Sequence, residues 1–78
     1  MVNLQELKQH TNELVELSFE DGHIVRARLI SVDLYEPEEI IYDVQEIVAA
    51  GPRELATVTP GTVAAADPRL LMGFRVVD

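Results

Sequence analysis

Residues 14–48, LVELSFEDGHIVRARLISVDLYEPEEIIYDVQEIV, hold two alternating apolar/polar segments joined by Asp-Gly, then a third apolar-rich run. Their reading decides the fold. In the first segment Val15, Leu17 and Phe19 share one face, with Glu16, Ser18 and Glu20 between them. This period of two marks a strand with one buried and one solvated face. Asp21-Gly22 follows and predicts a two-residue type I′ hairpin turn, which requires positive φ at both central residues. In the second segment, His23 to Asp33, Val25, Ala27, Leu29 and Ser31 fall on one face, and Ile24, Arg26, Arg28, Ile30 and Val32 on the other. Neither face is wholly polar, so the strand is expected to be long, strongly bent and shared between two sides of a small barrel. Pro37 sits in a polar break, where it presets a turn and cannot donate to a ladder. Ile40 to Val48 reads as a third strand.

Along residues 15–47 the elements Asp21-Gly22, Ser31-Val32-Asp33, Tyr35, Ile40-Ile41 and Asp43-Val44-Gln45-Glu46 arrive in a set order. That order resembles the first conserved motif of the Sm and Sm-like proteins. The motif has an alternating strand, Asp-Gly, a long second strand ending in Asp, an aromatic two residues on, an Asn, hydrophobics and an Asp-Val-x-Glu-like tail. The likeness covers roughly the first two thirds of the chain and is that of a divergent member of the bacterial or phage type. Ala27 replaces the usual glycine of the second strand. The Pro37-Glu38-Glu39 loop is one residue longer, and Glu38 or Glu39 stands where the base-recognising Asn belongs. Met72-Gly73 is the nearest counterpart of the Arg-Gly that precedes the last strand of the family.

The resemblance implies a mainly β fold: an Sm-like (SH3-type), strongly bent five-stranded antiparallel barrel with an N-terminal α-helix. It also implies rings, in which the fourth strand of one subunit pairs with the fifth of the next. Such rings hold single-stranded RNA by stacking a base on the aromatic of the first motif. The residues this carries over as RNA-binding candidates are Asp33, Tyr35, Glu38, Glu39, Met72 and Gly73. Tyr35 matches the stacking aromatic, an interaction worth ~1–3 kcal/mol per base, and Asp33 matches the acid that orders its loop. With Glu at the Asn position and Met at the Arg position, hydrogen bonding is altered and a positive charge is lost.

Bulk properties bound the rest. A chain of 78 residues forms a single domain, near the lower limit for a self-sufficient core. The layout is a helix over 2–11, the Sm-type motif over 14–48, a variable loop or hairpin over 49–68 and the last strand region over 69–78. In the helix, Asn3 is the expected N-cap, Glu6 completes a capping-box pattern, and Leu4 and Leu7 form the docking stripe. Gly51-Pro52 is a breaker, and Pro60-Gly61 fits the centre of a type II turn between Leu55–Thr59 and Thr62–Ala65.

There is no cysteine, hence no disulfide and no thiolate metal site. No apolar run reaches the ~18 residues of a membrane span, and no signal-peptide pattern is present, so a cytoplasmic location is expected. The net charge of −8 opposes binding to nucleic acid or anionic membrane through non-specific charge neutralisation. Arg26 and Arg28, the only basic pair, are expected to meet carboxylates more readily than phosphate.

For catalysis the inventory is thin. His10 and His23 fall at a helix end and a turn, Ser18 and Ser31 are ordinary strand positions, and no spacing marks a nucleophile–base pair. Enzymatic activity and a cofactor are not expected. Asp33 to Glu46 carries six acids and no base. That run reads as a solvated face, as a carboxylate site for a divalent cation at Glu36, Glu38 and Glu39, or as the acidic lining of an oligomer's pore. The leading functional reading is a structural or interaction module forming a cyclic homo-oligomer. The alternative is a single-stranded RNA-binding ring in the manner of RNA chaperones, with neither membrane nor DNA as partner. Cation or small-ligand binding in the acidic loop is a third, distant reading.

Overall fold

The computed structural model describes residues 3–35, 37–49 and 60–77. It contains α1 (Leu4–Lys8), β1 (Leu14–Phe19), β2 (Ile24–Asp33), β3 (Glu39–Ala49), β4 (Val63–Ala66), a 3-10 turn (Pro68–Leu70) and β5 (Leu71–Val76). All ladders are antiparallel, and the order across the sheet is β4-β3-β2-β1-β5. The mainly β architecture of five antiparallel strands with one short N-terminal helix is therefore as expected. The sheet is open: β4 and β5 are its two edges, and no ladder joins them among the described residues.

The alternation of β1 is realised directly, with Val15, Leu17 and Phe19 buried. In β2 the buried set is Val25, Ala27 and Leu29, then Val32. The change from odd to even comes where the register with β3 passes from Leu29–Tyr42 to Ser31–Ile41 and skips Ile30. The same register skips Gln45 and Val48 in β3, and the β1–β5 ladder skips Met72. A bulge adds one residue opposite one partner, bends the strand and reverses which residues face inward. All four skipped residues are exposed. The bend expected of β2 thus has a local cause, one extra residue at Ile30.

The β1–β2 connection differs from the two-residue turn expected. The Gly22 N–H donates to the Phe19 carbonyl (3.0 Å), and the Phe19 N–H to that of His23 (3.0 Å). Only Gly22 has positive φ (+96°). This is a three-residue loop, a four-residue turn ended by a left-handed glycine and a bulge. Asp21 keeps φ negative because its carboxylate is engaged with His23 instead.

The helix is shorter than the span 2–11. Asn3 caps it as expected, accepting from the N–H groups of Gln5 (3.1 Å) and Glu6 (3.2 Å). Its other end tightens into three-residue turns: the N–H groups of His10 and Thr11 donate to the carbonyls of Leu7 and Lys8, and the Thr11 hydroxyl competes for the Lys8 carbonyl at 2.6 Å. Asn12, at φ +72°, then turns the chain into β1. Five residues cannot hold a helix alone in water. Leu7, fully buried in the core cluster with Leu4 packed beside it, supplies what propensity does not.

At the other edge, Gly61 (φ +90°) fits the turn expected at Pro60-Gly61. Val44 anchors that turn, its N–H donating to Thr62 and its carbonyl accepting from Gly61. Thr62 leads into β4, which pairs with β3 over Ile40–Asp43. Leu55–Thr59, the expected partner segment of that turn, lies outside the described residues. β5 begins at Leu71, so Met72-Gly73 falls inside the last strand and does not precede it.

The dominance of docking over helix propensity is testable. Leu7→Ala should lower unfolding stability by about 2–5 kcal/mol, the usual range for a fully buried leucine. Asn3→Ala should cost only about 1 kcal/mol, the typical worth of an N-cap. Urea titration of both variants measures the difference; equal losses would contradict this account of α1.

Candidate functional site

The β2–β3 connection gathers four of the sequence-derived candidates. The Asp33 carboxylate accepts the Tyr35 N–H (3.0 Å), closing a local turn that shapes the loop. Tyr35 is left 82% exposed. Its backbone turn is fixed while its ring is free to meet a partner. Tyr35 borders an apolar groove with Leu34 and Ile30, closed at one end by Lys8 and Thr11 of the helix region. Glu39 opens β3 directly across from Asp33, so two like charges face each other at the mouth of the hairpin.

Glu38 looks elsewhere, into a cavity of about 550 Å³ shared with Pro37, Asp67 and Arg69. Met72 and Gly73 lie on β5 and border a third groove, against Asn3, Glu6 and His10 of the helix region. Five of the six candidates therefore line three separate grooves, and Glu39 lines none of them. A Cβ at Gly73 would meet nothing within 4 Å, so neither backbone conformation nor space demands glycine there.

Arg69, one of the arginines that a basic strip favouring RNA would need, stands at this end of the molecule. It sits in the turn between β4 and β5, held by Asp67 through Nε (3.1 Å) and Nη2 (2.7 Å). Asp67 also caps the turn by accepting the Arg69 N–H (2.9 Å). The readable signal was Asp67-Pro68, an N-cap followed by proline at the first helical position.

Among the described residues, Arg26, Arg69 and Arg75 meet carboxylates. Across the outer face of the sheet runs a row of charges, Glu46–Arg26–Glu16–Arg75, one residue from each of β3, β2, β1 and β5. Arg26 reaches Glu16 and Glu46 at 3.3 Å each, and Arg75 reaches Glu16 at 3.1 Å. Arg26 behaves as expected. Arg28 instead donates to the Asn12 carbonyl (3.0 Å). Glu36 of the acidic loop lies outside the described residues. Among the described residues no three His, Cys, Asp or Glu side chains converge as a metal site, and no helix is long and apolar enough to cross a membrane.

His10 pairs with Glu13 (3.2 Å) and tilts against Phe74. His23 is nearly buried, with its Nδ1 on the Asp21 carboxylate. Neither has a serine or threonine hydroxyl as hydrogen-bond partner among the described residues.

Comparisons with protein-family models, with curated proteins and with solved structures find no match to this chain.

Three carboxyls titrate below their ordinary range. The Arg75 side chain holds Glu16 down, aided by Arg26; the His23 backbone N–H lowers Asp21; and the Arg69 guanidinium lowers Asp67. A carboxyl whose folded value is depressed adds stability above its unfolded value and loses it as pH falls through the folded one. Glu16→Gln should therefore destabilise the chain at neutral pH and flatten the acid limb of its stability curve. Denaturant midpoints measured from neutral to strongly acidic pH test this, and an unchanged acid limb would rule out the charge row as its source.

Proposed function

We propose that the chain is a ring-forming, Sm-like oligomerisation and interaction module, a strongly bent five-stranded barrel whose copies join β4 of one to β5 of the next. The observation that carries this reading is the pair of unlike open edges on one sheet. β4 is the thin strand Val63-Ala64-Ala65-Ala66, and β5 bears Met72, Phe74 and Val76. Between β5 and the helix region lies a groove of about 440 Å³ that a narrow strand suits. An edge on each side of one molecule, bulky on one and small on the other, favours head-to-tail contact, which closes into a ring when its rotation permits. Val63 and Met72 are 64% and 66% exposed, an apolar display that strand edges in monomers usually avoid. A domain of this size also gains core from its neighbours. Its ligand or partner is not specified by this reading.

Binding of single-stranded RNA is the second reading, and one observation favours it. Arg69 returns a guanidinium to the β4–β5 turn, where the family places its arginine, close to the Tyr35-bearing loop through Glu38. Against it stand the net charge of −8 and the carboxylate partners of Arg26, Arg69 and Arg75.

Native mass spectrometry with and without short U-rich and A-rich RNA at low salt separates the two. The proposal expects one closed stoichiometry without RNA adduct, and folded monomers from Val63→Lys or Met72→Lys. A wild-type monomer overturns it. One RNA per ring, lost in Tyr35→Ala and in Arg69→Ala, would replace it with the second reading.

A further inference from the structure

At the end of the β1–β2 hairpin, away from the acidic loop, a nearly buried imidazole borders a cavity of its own. His23 is 8% exposed. Its ring lies flat on Phe19, centroids 4.2 Å apart and planes within 10°. Nδ1 is tied to the Asp21 carboxylate, and that carboxylate also accepts the His23 N–H (3.0 Å). The ring can neither tilt nor rotate without breaking the stack or the bond. Nε2 is the nitrogen left over. It has no hydrogen-bond partner among the described residues, yet no fully buried side-chain nitrogen or oxygen there lacks one. Nε2 is therefore the part of this ring that opens outward. It opens at a cavity of about 250 Å³ lined by Phe19, Glu20, Asp21, His23 and Leu70.

The chemistry of that cavity is one-sided. Asp21 is held below its ordinary range by its bonds to His23, and a carboxylate only accepts, so in the neutral imidazole the proton sits on Nδ1 and Nε2 is the acceptor. Glu20 adds an exposed carboxylate and Asp21 a second oxygen, while Phe19 and Leu70 give apolar wall. No lysine or arginine is among the described lining residues. Drug-sized ligands occupy ~300–1,000 Å³, so this volume suits a head group of a few heavy atoms. With one imidazole and no convergent trio of metal ligands among the described residues, a cation that brings its own N–H donors fits better than a bare metal ion.

We propose that this cavity binds a small organic cation, an alkylammonium or alkylguanidinium head that donates an N–H to His23 Nε2 and sets its charge against Glu20. The site is built by one chain and does not depend on assembly. The cation is either a free amine or an Arg or Lys side chain of another protein.

Titrating the ¹⁵N-labelled protein with n-propylguanidinium at pH 8 and constant ionic strength tests this by NMR. Saturable shifts confined to Phe19, Glu20, His23 and Leu70 are expected, with none from the neutral isostere n-propylurea. His23→Phe keeps a flat ring on Phe19 and removes the acceptor; it should weaken binding about tenfold, the worth of one charge-assisted hydrogen bond. Unsaturable shifts spread over Asp33, Glu39 and Glu46 would overturn the proposal as diffuse attraction to an acidic chain, as would undiminished binding by His23→Phe. Should that variant fail to fold, the His23 Nε2 resonance of the wild type decides: a shift on saturation supports the site and a static one overturns it. A glycine–serine peptide with a single arginine separates the sources. Binding equal to propylguanidinium points to a free cation, and tighter binding to a partner's side chain.

Discussion

Four residues that face no counterpart across the ladder, Ile30, Gln45, Val48 and Met72, set the shape on which everything else rests. Strict alternation through ten residues of β2 would have turned Ser31 and Asp33 into the core and Val32 out of it. One extra residue at Ile30 reverses the phase, so that Val32 is buried and Asp33 reaches the loop where it fastens Tyr35. In β3 the extra residue at Gln45 does the same, turning Glu46 outward to Arg26 and Ile47 inward against the core. Each bulge spends an exposed side chain to keep apolar ones inside. Three of the four are large hydrophobics, so much of the apolar surface here is a by-product of curvature.

That origin explains which parts of the fold were legible beforehand. β1 was readable because its alternation is unbroken, and Asn3 because a side chain two or three residues from its target needs no tertiary help. The conflict between the two half-apolar faces of β2 was readable, although Ile30, at which the register resolves it, was not singled out. Turn type was misread at Asp21-Gly22 because the aspartate's carboxylate found His23, a contact with no trace in dipeptide statistics. The helix ended early because Thr11 bonds back to Lys8 and Asn12 is taken by Leu29 and Arg28 of β2, and its survival depends on Leu7, whose burial is a property of the whole core.

The site was legible in the same uneven way. Asp33 and Tyr35 are two residues apart and their turn forms locally. Met72-Gly73 was matched by letters alone, and the strand boundary at Leu71 places it inside β5, at a sheet edge. The place of Arg69 was not legible, because it rests on the β4–β5 turn standing beside the Pro37–Glu38 loop. The charge row is the plainest case: Glu16 and Arg75 lie 59 residues apart and meet only through the register of β1 with β5.

The pairing of β1 with β5 has a kinetic side. β1 has its other neighbour, β2, available after a short loop, but its partner on this side is the last strand of the chain. The Val77 N–H donates to the Leu14 carbonyl, so the contact joins residues far apart in sequence. Closing so long a loop is entropically costly and is repaid only once many non-local contacts form together. During synthesis β1 to β3 can exist as a hairpin and its extension while the Leu14–Phe19 edge stays bare. Folding is therefore completed after β5 has been made, at a pace set by the meeting of distant strands, with helix formation far from limiting.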